Sequence, residues 1–319
     1  MDVDKSWIPK CIEFLKKIEQ NNYSWIIRED AKNDKSCRLD AAALFCKLAR
    51  IFDNHHQFNK KKMADAVLRF KDGNNYYKDA PKKNDYYIAE TRQAMSGLVN
   101  IGYTPDKINL DRDYKDMENL YFMKHPKQWD DPWNNGAQLS HYLFFCHKNG
   151  ETERLDDILK KIEKYQHPDG WYNKKPNNTV RTNGIMKVFT GLDAMNYDYK
   201  KIEPMVKTIV DSIIKWSPDK GGCNLYDYVY VLAKAVSINY RVEESKEKLI
   251  KVYNKILTYQ QPDGGFSYSP KQSRTDMYGK KIPNGKGIGD VHGTTLHCMS
   301  LWIIDKACNL NLNLNTVVS

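Results

Sequence analysis

The sequence predicts an all-α chain: a single (α/α)6 toroid of six helical hairpins, one domain over residues 1–319. Three observations predict it. The turn Tyr165-Gln166-His167-Pro168-Asp169-Gly170-Trp171 recurs as Tyr259-Gln260-Gln261-Pro262-Asp263-Gly264-Gly265-Phe266, each time closing a Lys-rich amphipathic helix. Repetition at this scale marks an array of supersecondary units. Helical segments also alternate between two kinds. One keeps a charged stripe; the other is apolar on most sides, as in Ala41-Ala42-Ala43-Leu44-Phe45 and Met299-Ser300-Leu301-Trp302-Ile303-Ile304. A helix apolar all round is buried all round, so a half-exposed outer set encloses a buried inner set. Finally, no strand alternation of useful length appears.

Each hairpin has an outer helix, a loop rich in Gly, Pro, Asn and Asp, and an inner helix. The first uses residues 12–18, the loop 21–37 and 39–52. The second uses 62–70, 72–85 and 89–101. The third uses 114–123, 125–134 and 136–146; the fourth 154–165, 166–182 and 184–195. The fifth uses 202–216, 217–225 and 227–238, and the sixth 244–259, 260–289 and 291–308.

The net charge of +10 comes from lysines scattered through the repeats, with short runs at Asn59-Lys60-Lys61-Lys62 and Pro81-Lys82-Lys83. This is a solvated basic surface rather than a nucleic-acid tract. The seven cysteines are odd in number, form no CxxC pair and sit mostly in apolar stretches, which implies reduced thiols and a cytoplasmic setting. The opening Met1-Asp2-Val3-Asp4-Lys5 is not a secretory signal, and no run reaches the roughly 18 apolar residues of a membrane span.

The Gln-x-Pro-Asp-Gly-Trp/Phe turns at Gln166 and Gln260 resemble the QW-type turns of the terpenoid cyclase and protein prenyltransferase α/α-toroid superfamily, the prenyltransferase/squalene oxidase type of repeat. Ser217-Pro218-Asp219-Lys220-Gly221-Gly222-Cys223 looks like a degenerate third copy and Gln20-Asn21-Asn22-Tyr23-Ser24-Trp25 like a fourth. Gly289-Asp290-Val291-His292-Gly293-Thr294-Thr295 resembles the segment opening the last inner helix of prenyltransferase β subunits. The resemblance implies the toroid and leaves the activity open. Where the prenyltransferase zinc site needs an Asp followed two residues on by Cys, this chain has Asp227 and Val229, so only His292 remains of the ligand set. The cyclase Asp-x-Asp-Asp acid is absent; Leu110-Asp111-Arg112-Asp113-Tyr114 and Trp129-Asp130-Asp131-Pro132 depart from it. Within the turn, Asp-Gly makes the tight bend, the Gln amide bonds carbonyls left open at the helix end, and the aromatic ring packs between hairpins.

Inner-helix N-termini gather at one mouth of such a barrel, where their N–H groups favour anions. Polar residues stand at all six starts. Capping explains Asp, Asn and Thr there. It does not explain Arg38, Arg92 and Arg181, which the helix dipole disfavours; either salt bridges or an anionic ligand would. His292, with Asp290 as orienter, is the acid/base candidate, and Glu90, Asp131 or Asp227 supplies an opposing carboxylate. Arg38, Asp40, Arg92, Trp129, Trp133, Asn135, Arg181, Asn183, Asn224 and Tyr226 form the expected binding surface. Gly285-Lys286-Gly287-Ile288-Gly289 follows no strand and lacks phosphate-loop spacing, so it reads as a flexible lid; the loop 267–289 with Arg274 and Asp276 is the expected mobile element.

These residues predict acid/base chemistry on an acidic or phosphorylated carbohydrate by a lyase, epimerase or hydrolase. One alternative is an isoprenoid diphosphate cyclase or transferase, which would call for Mg²⁺; the other is a non-catalytic toroid binding an anionic partner. No cofactor or metal is otherwise expected. The expected partner is a small-molecule or oligosaccharide substrate, with a second protein chain as a candidate wall for the pocket.

Overall fold

The computed structural model describes residues 3–27, 38–79, 86–108, 129–218, 221–282 and 285–318. Among these, eleven α-helices follow in order: α1 Trp7–Gln20, α2 Arg38–Ile51, α3 Lys60–Leu68, α4 Tyr87–Asn100, α5 Pro132–Asn149, α6 Arg154–Ile162, α7 Asn178–Ala194, α8 Glu203–Ile213, α9 Cys223–Ser237, α10 Val242–Leu257 and α11 Val291–Cys308. The expected helix 114–123 lies outside the described residues. The only strands among the described residues are two-residue hairpins: β1 Gln166–His167 with β2 Gly170–Trp171, and β3 Asp276–Met277 with β4 Lys280–Lys281.

The alternation of helix types holds. Every α2 residue except Arg38 and Arg50 is buried, whereas α6 buries only Ile158 and Ile162. Several helices start earlier than the apolar pattern implied, and three of these shifts move expected site residues onto a helix; at two of the three a cap sets the start. Asn177 accepts from Val180 N at 3.0 Å and starts α7 at Asn178, so Arg181, Thr182 and Asn183 lie on the helix rather than ahead of it. Asp131 accepts from Asn134 N at 3.2 Å, with Pro132 in the first turn, and starts α5 four residues early. The α9 helix begins at Cys223, which moves Asn224, Tyr226 and Asp227 onto it.

The chain divides into two compact units. The first gathers described residues of Met1–Asp106, Lys220–Tyr226 and Ile250–Ser319; the second those of Lys107–Asp219 and Asp227–Leu249. In the first, α2 packs against α3, α4 and α11. Trp7 of α1 is buried against Phe52 and Phe266, edge to face at 6.0 Å each. Burying one such side chain contributes about 1.5–3 kcal/mol. In the second unit α5 lies along α7, where Ser140 Oγ and Thr190 Oγ1 meet at 2.8 Å.

A C-terminal strap closes the far ends of the first unit's buried helices. Asn309, Asn311 and Asn313 take left-handed φ of 55°, 57° and 59°, conformations asparagine tolerates. Between them Leu310, Leu312 and Leu314 turn inward and are buried. Asp305 on α11 accepts from Leu312 N at 3.0 Å, Asn315 N donates to Ile51 O at 3.0 Å, and Val318 N donates to Asn100 Oδ1 at 2.8 Å.

The second turn motif belongs to the first unit. Its Phe266 ring is fully buried, as expected. The Gln260 amide does something else than expected. It donates to Trp7 O on α1 at 3.1 Å and to Gly264 O at 3.0 Å, joining the turn to a neighbouring helix; the adjacent Gln261 amide reaches Tyr259 O at 2.8 Å. Gly264 has φ +92°, and a Cβ there would stand 2.1 Å from Lys10 O. Gly264→Ala therefore combines left-handed strain with a backbone clash. It should cost at least about 2 kcal/mol and lower Tm by several degrees. Gly73→Ala, where a Cβ meets nothing within 4 Å, should leave Tm nearly unchanged in the same thermal melt.

Candidate active site

In the first unit, the starts of α2 and α4 bring Asp40 and Glu90 together, each 1% exposed. The carboxylate of Asp79 joins them. Its Oδ2 accepts from Leu39 N at 3.3 Å, at the open end of α2, and its own N–H donates to Glu90 Oε2 at 3.1 Å. Asp79 Oδ1 pairs with Lys280 Nζ at 2.6 Å. Burial, reinforced by Glu90 and Asp79, holds the Asp40 carboxyl well above the usual carboxylate range, against the smaller pull of Lys280. The buried Asp40 Oδ1 has no hydrogen-bond partner among the described residues. Two residues along α4, Arg92 is also buried. Lys47, two turns along α2 from Asp40, donates to Gln93 Oε1 at 2.8 Å. Half-buried Tyr278 shares a hydrogen bond with Gln93, and burial beside Asp40 raises its phenol above its ordinary value. Arg38 stands at the head of α2, where its charge acts on Arg69.

A second group of the same unit surrounds the start of α11. Asp290 caps the helix, but it does not orient His292 through the bonds it makes. Its Oδ1 accepts from Gly293 N at 2.7 Å, and its Oδ2 from Tyr268 N at 2.9 Å and Arg274 N at 3.1 Å. Burial pushes this carboxyl up to about 6 despite those three donors. His292 is held by rings instead: stacked on Tyr268 at 5.4 Å and edge-on to Trp25 at 6.1 Å. The Arg274 guanidinium lies 4.5 Å from the centre of the Tyr268 ring, a cation–π contact. Tyr226, on α9, is buried in this unit; Asn224 is half-buried.

The remaining expected residues lie in the second unit. Arg181 is committed to Asp169, the Asp of the first turn motif, through a buried ion pair. It also bonds Asn178 at 2.8 Å and Ser212 at 3.0 Å. Of the two origins the sequence allowed for an arginine here, the salt bridge is the one found. Asp131 serves as the α5 cap. Trp129 is fully buried with φ +63°, and its N–H donates to Asn135 Oδ1 at 3.1 Å. Trp133 keeps 37% of its surface exposed. Asp227 is fully buried, and burial pushes its carboxyl up to about 7. The Asn183 amide, with its nitrogen turned toward the acid, donates to Asp227 Oδ2 at 2.6 Å and to Thr179 O at 3.2 Å.

Sequence reasoning missed Asp79, Lys280 and Tyr278. Asp79 sits in a loop with no periodic signal. Tyr278-Gly279 has the glycine of a two-residue hairpin turn but not the Asn-Gly or Asp-Gly pair that signals one in sequence. Among the described residues, no group of three or more His, Cys, Asp and Glu side chains is arranged to hold a metal ion.

No protein-family model matches the chain, and no curated protein matches it in sequence. Solved structures do match. One, titled a polysaccharide lyase, is 13% identical with a TM-score of 0.52, over 96% of each chain. Another, titled a glycosyl hydrolase family 88 protein from Bacteroides vulgatus, is 11% identical with a TM-score of 0.48, over 96% of this chain and 99% of that one. At such identity the likeness speaks to fold. The fold is all-α, of the α/α-toroid class.

A carboxyl that binds its proton more tightly folded than unfolded weakens the fold as pH rises between the two values. For Asp227 that window runs from about 4, the unfolded value, to about 7. Stability should fall across it by up to about 1.4 kcal/mol per pH unit from this group. Asp227→Asn should remove that component. In urea unfolding it should exceed the wild type in stability at pH 8 and match it near pH 4.

Proposed function

We propose that the chain is an enzyme that uses acid/base chemistry on a carbohydrate, an acidic or phosphorylated glycan, as a lyase, epimerase or hydrolase. The observation that carries this reading is the pair Asp40 and Glu90: two buried carboxyls at adjacent helix starts, with burial raising Asp40 above the usual carboxylate range. Such chemistry needs one group that gives a proton and one that takes it, and two adjacent carboxyls can divide those tasks. Asp40, expected from sequence as a binding residue, takes the acid role, and Glu90 the base. Arg92, Arg38 and Lys280 hold the anionic substituent. His292, stacked on Tyr268, and Asp290 remain members of the same proposed machinery, and Asp131 and Asp227 are the other carboxylates put forward. The printed name of the polysaccharide lyase structure, which matches over 96% of each chain, supports a carbohydrate substrate. The same reading takes residues 1–319 as one domain and the cytoplasm as its place; no helix described is long and apolar enough to cross a membrane.

The isoprenoid-diphosphate reading rests on the turn motif. The carboxylates of Asp79 and Glu90 would repel a diphosphate unless Mg²⁺ stood between them. A thermal-shift screen separates the two readings. Uronic acids and sugar nucleotides should raise Tm, since a ligand at one hundred times its Kd adds about 2.7 kcal/mol. A shift with prenyl diphosphates alone would replace the carbohydrate reading.

With an acidic oligosaccharide that is turned over, Asp40→Asn and Glu90→Gln should each lower kcat by about 100-fold or more, with Tm within a few degrees of wild type. His292→Ala should likewise abolish turnover; full activity there would remove His292 from the machinery. Product formation is followed by mass spectrometry.

A further inference from the structure

The two carboxyls assigned to the chemistry are each 1% exposed, so a sugar ring does not reach them in this conformation. Something above them has to move. Among the described residues, the element that reaches toward them from elsewhere in the unit is the β3–β4 hairpin. Its register pairs Asp276 with Lys281 and Met277 with Lys280, leaving Tyr278-Gly279 as a two-residue turn. Both turn residues have positive φ, +45° and +77°, the geometry of a tight hairpin turn. For glycine this is routine. For a tyrosine it is a disfavoured conformation, and it aims the ring at Asp40, Glu90, Arg92 and Gln93.

The ladder itself is two residue pairs long, which is too short to hold a hairpin in place alone. The anchors are side chains. Lys280 Nζ sits 2.6 Å from Asp79 Oδ1, with 17% and 14% of the two side chains exposed. Tyr278 bonds Gln93, and its ring meets Tyr86 at 5.6 Å. The Lys280 anchor bears on the site directly. Asp79 also holds Leu39 N at the head of α2 and donates to Glu90. Beneath it, the Asp40 Oδ1 is buried with no hydrogen-bond partner among the described residues, a group left for a ligand to meet.

We propose that the β3–β4 hairpin is a lid over the Asp40–Glu90 pocket, latched by Lys280 on Asp79 and by the Tyr278 wedge, and that a ligand's anionic group opens it by taking Lys280 from Asp79. The inference rests on the proposed site but adds a specificity-determining residue to it. Asp79 occupies the position on Lys280 that the substrate's carboxylate or phosphate would take. This is distinct from the Gly-rich segment after it, which the sequence suggested as the mobile part.

The test is chemical access, read without any turnover. Intact protein is treated with a water-soluble carbodiimide and glycinamide, and labelled carboxyls are located by peptide mass mapping. Hydrogen exchange of residues 276–281 is followed in parallel. In wild type, Asp40 and Glu90 should stay nearly unlabelled. Lys280→Gln should raise their labelling, and hairpin exchange, by 10-fold or more, while amides in the middle of α2 and α4 keep wild-type exchange. Lys280→Arg should keep the latch and the protection. Tyr278→Asn, which suits the left-handed turn and removes only the ring, should also raise labelling; it decides the matter if Lys280→Gln unfolds the unit. Added D-glucuronate should open the wild-type lid, raising hairpin exchange, and have no effect on Lys280→Gln. Labelling and exchange at wild-type levels in both Lys280→Gln and Tyr278→Asn would overturn the lid. Hairpin exchange unmoved by D-glucuronate and by inorganic phosphate would overturn the exchange of anions on Lys280. Absence of any carbohydrate turnover would instead strike the proposed function and leave these readouts standing.

Discussion

A helix buried along its whole length has a first turn that cannot meet water, and the first unit is organised around that constraint. Helix α2 hides every side chain between its terminal arginines, so its open N–H groups must find partners inside the protein. A loop carboxylate, Asp79, supplies one of them at Leu39. That carboxylate in turn needs a counter-ion, and Lys280 comes from more than two hundred residues along the chain to provide it. Its own N–H needs an acceptor, and Glu90 of α4 provides that. The acidic cluster follows from meeting these needs in a dry place. Burial, with Glu90 and Asp79 beside it, raises the Asp40 carboxyl above the usual carboxylate range. The same constraint appears at α11, where Asp290 satisfies Gly293 N and ties down two loop amides at once.

The duplicated turn shows how far one motif can be reused. Both copies bend through Pro-Asp-Gly and bury an aromatic ring. Their aspartates take different partners. Asp169 neutralises Arg181, a buried cation on the next helix. Asp263 has no such cation and accepts instead from Gly265 N at 3.1 Å and Gly289 N at 2.9 Å, which fixes the end of the long loop before α11. Left without a direct counter-ion, it is raised by burial, whereas Asp169 is lowered, its partners outweighing burial. Identical local sequence thus yields two electrostatic states, set by what lies beside each copy.

Tyr278 and Lys280 extend the same logic to the loop. A hairpin of four paired residues would be expected to fray. Here an aromatic ring in a strained turn and a partly buried ion pair replace the missing ladder, so the loop's order depends on the charge of the pocket beneath it. A segment held by few, strong, exchangeable contacts can open as a unit, which a segment held by many weak apolar contacts cannot.

Periodicity and turn chemistry are local, and they carried the helices, the alternation of buried and half-exposed types, the repeat and therefore the fold class; α11 begins and ends where its pattern says. Helix starts were legible only where the cap stands next to the apolar run. Asn177 and Asp131 lie several residues ahead of it, which is why Arg181 and Asn183 sit on a helix and not before one. The strap of Asn309 to Asn315, whose asparagines 309, 311 and 313 take left-handed φ, was not anticipated from helical periodicity. Of the site, the sequence determined which polar residues stand at the starts of buried helices, because a cap and its helix are neighbours in the chain. Which of them meet was decided only by tertiary structure: Asp40 with Glu90, Arg181 with Asp169, Lys280 with Asp79. Proton affinity and ion pairing depend on burial and on charges a few ångströms away, and those neighbours are brought together by packing between distant segments rather than by the order of residues along the chain.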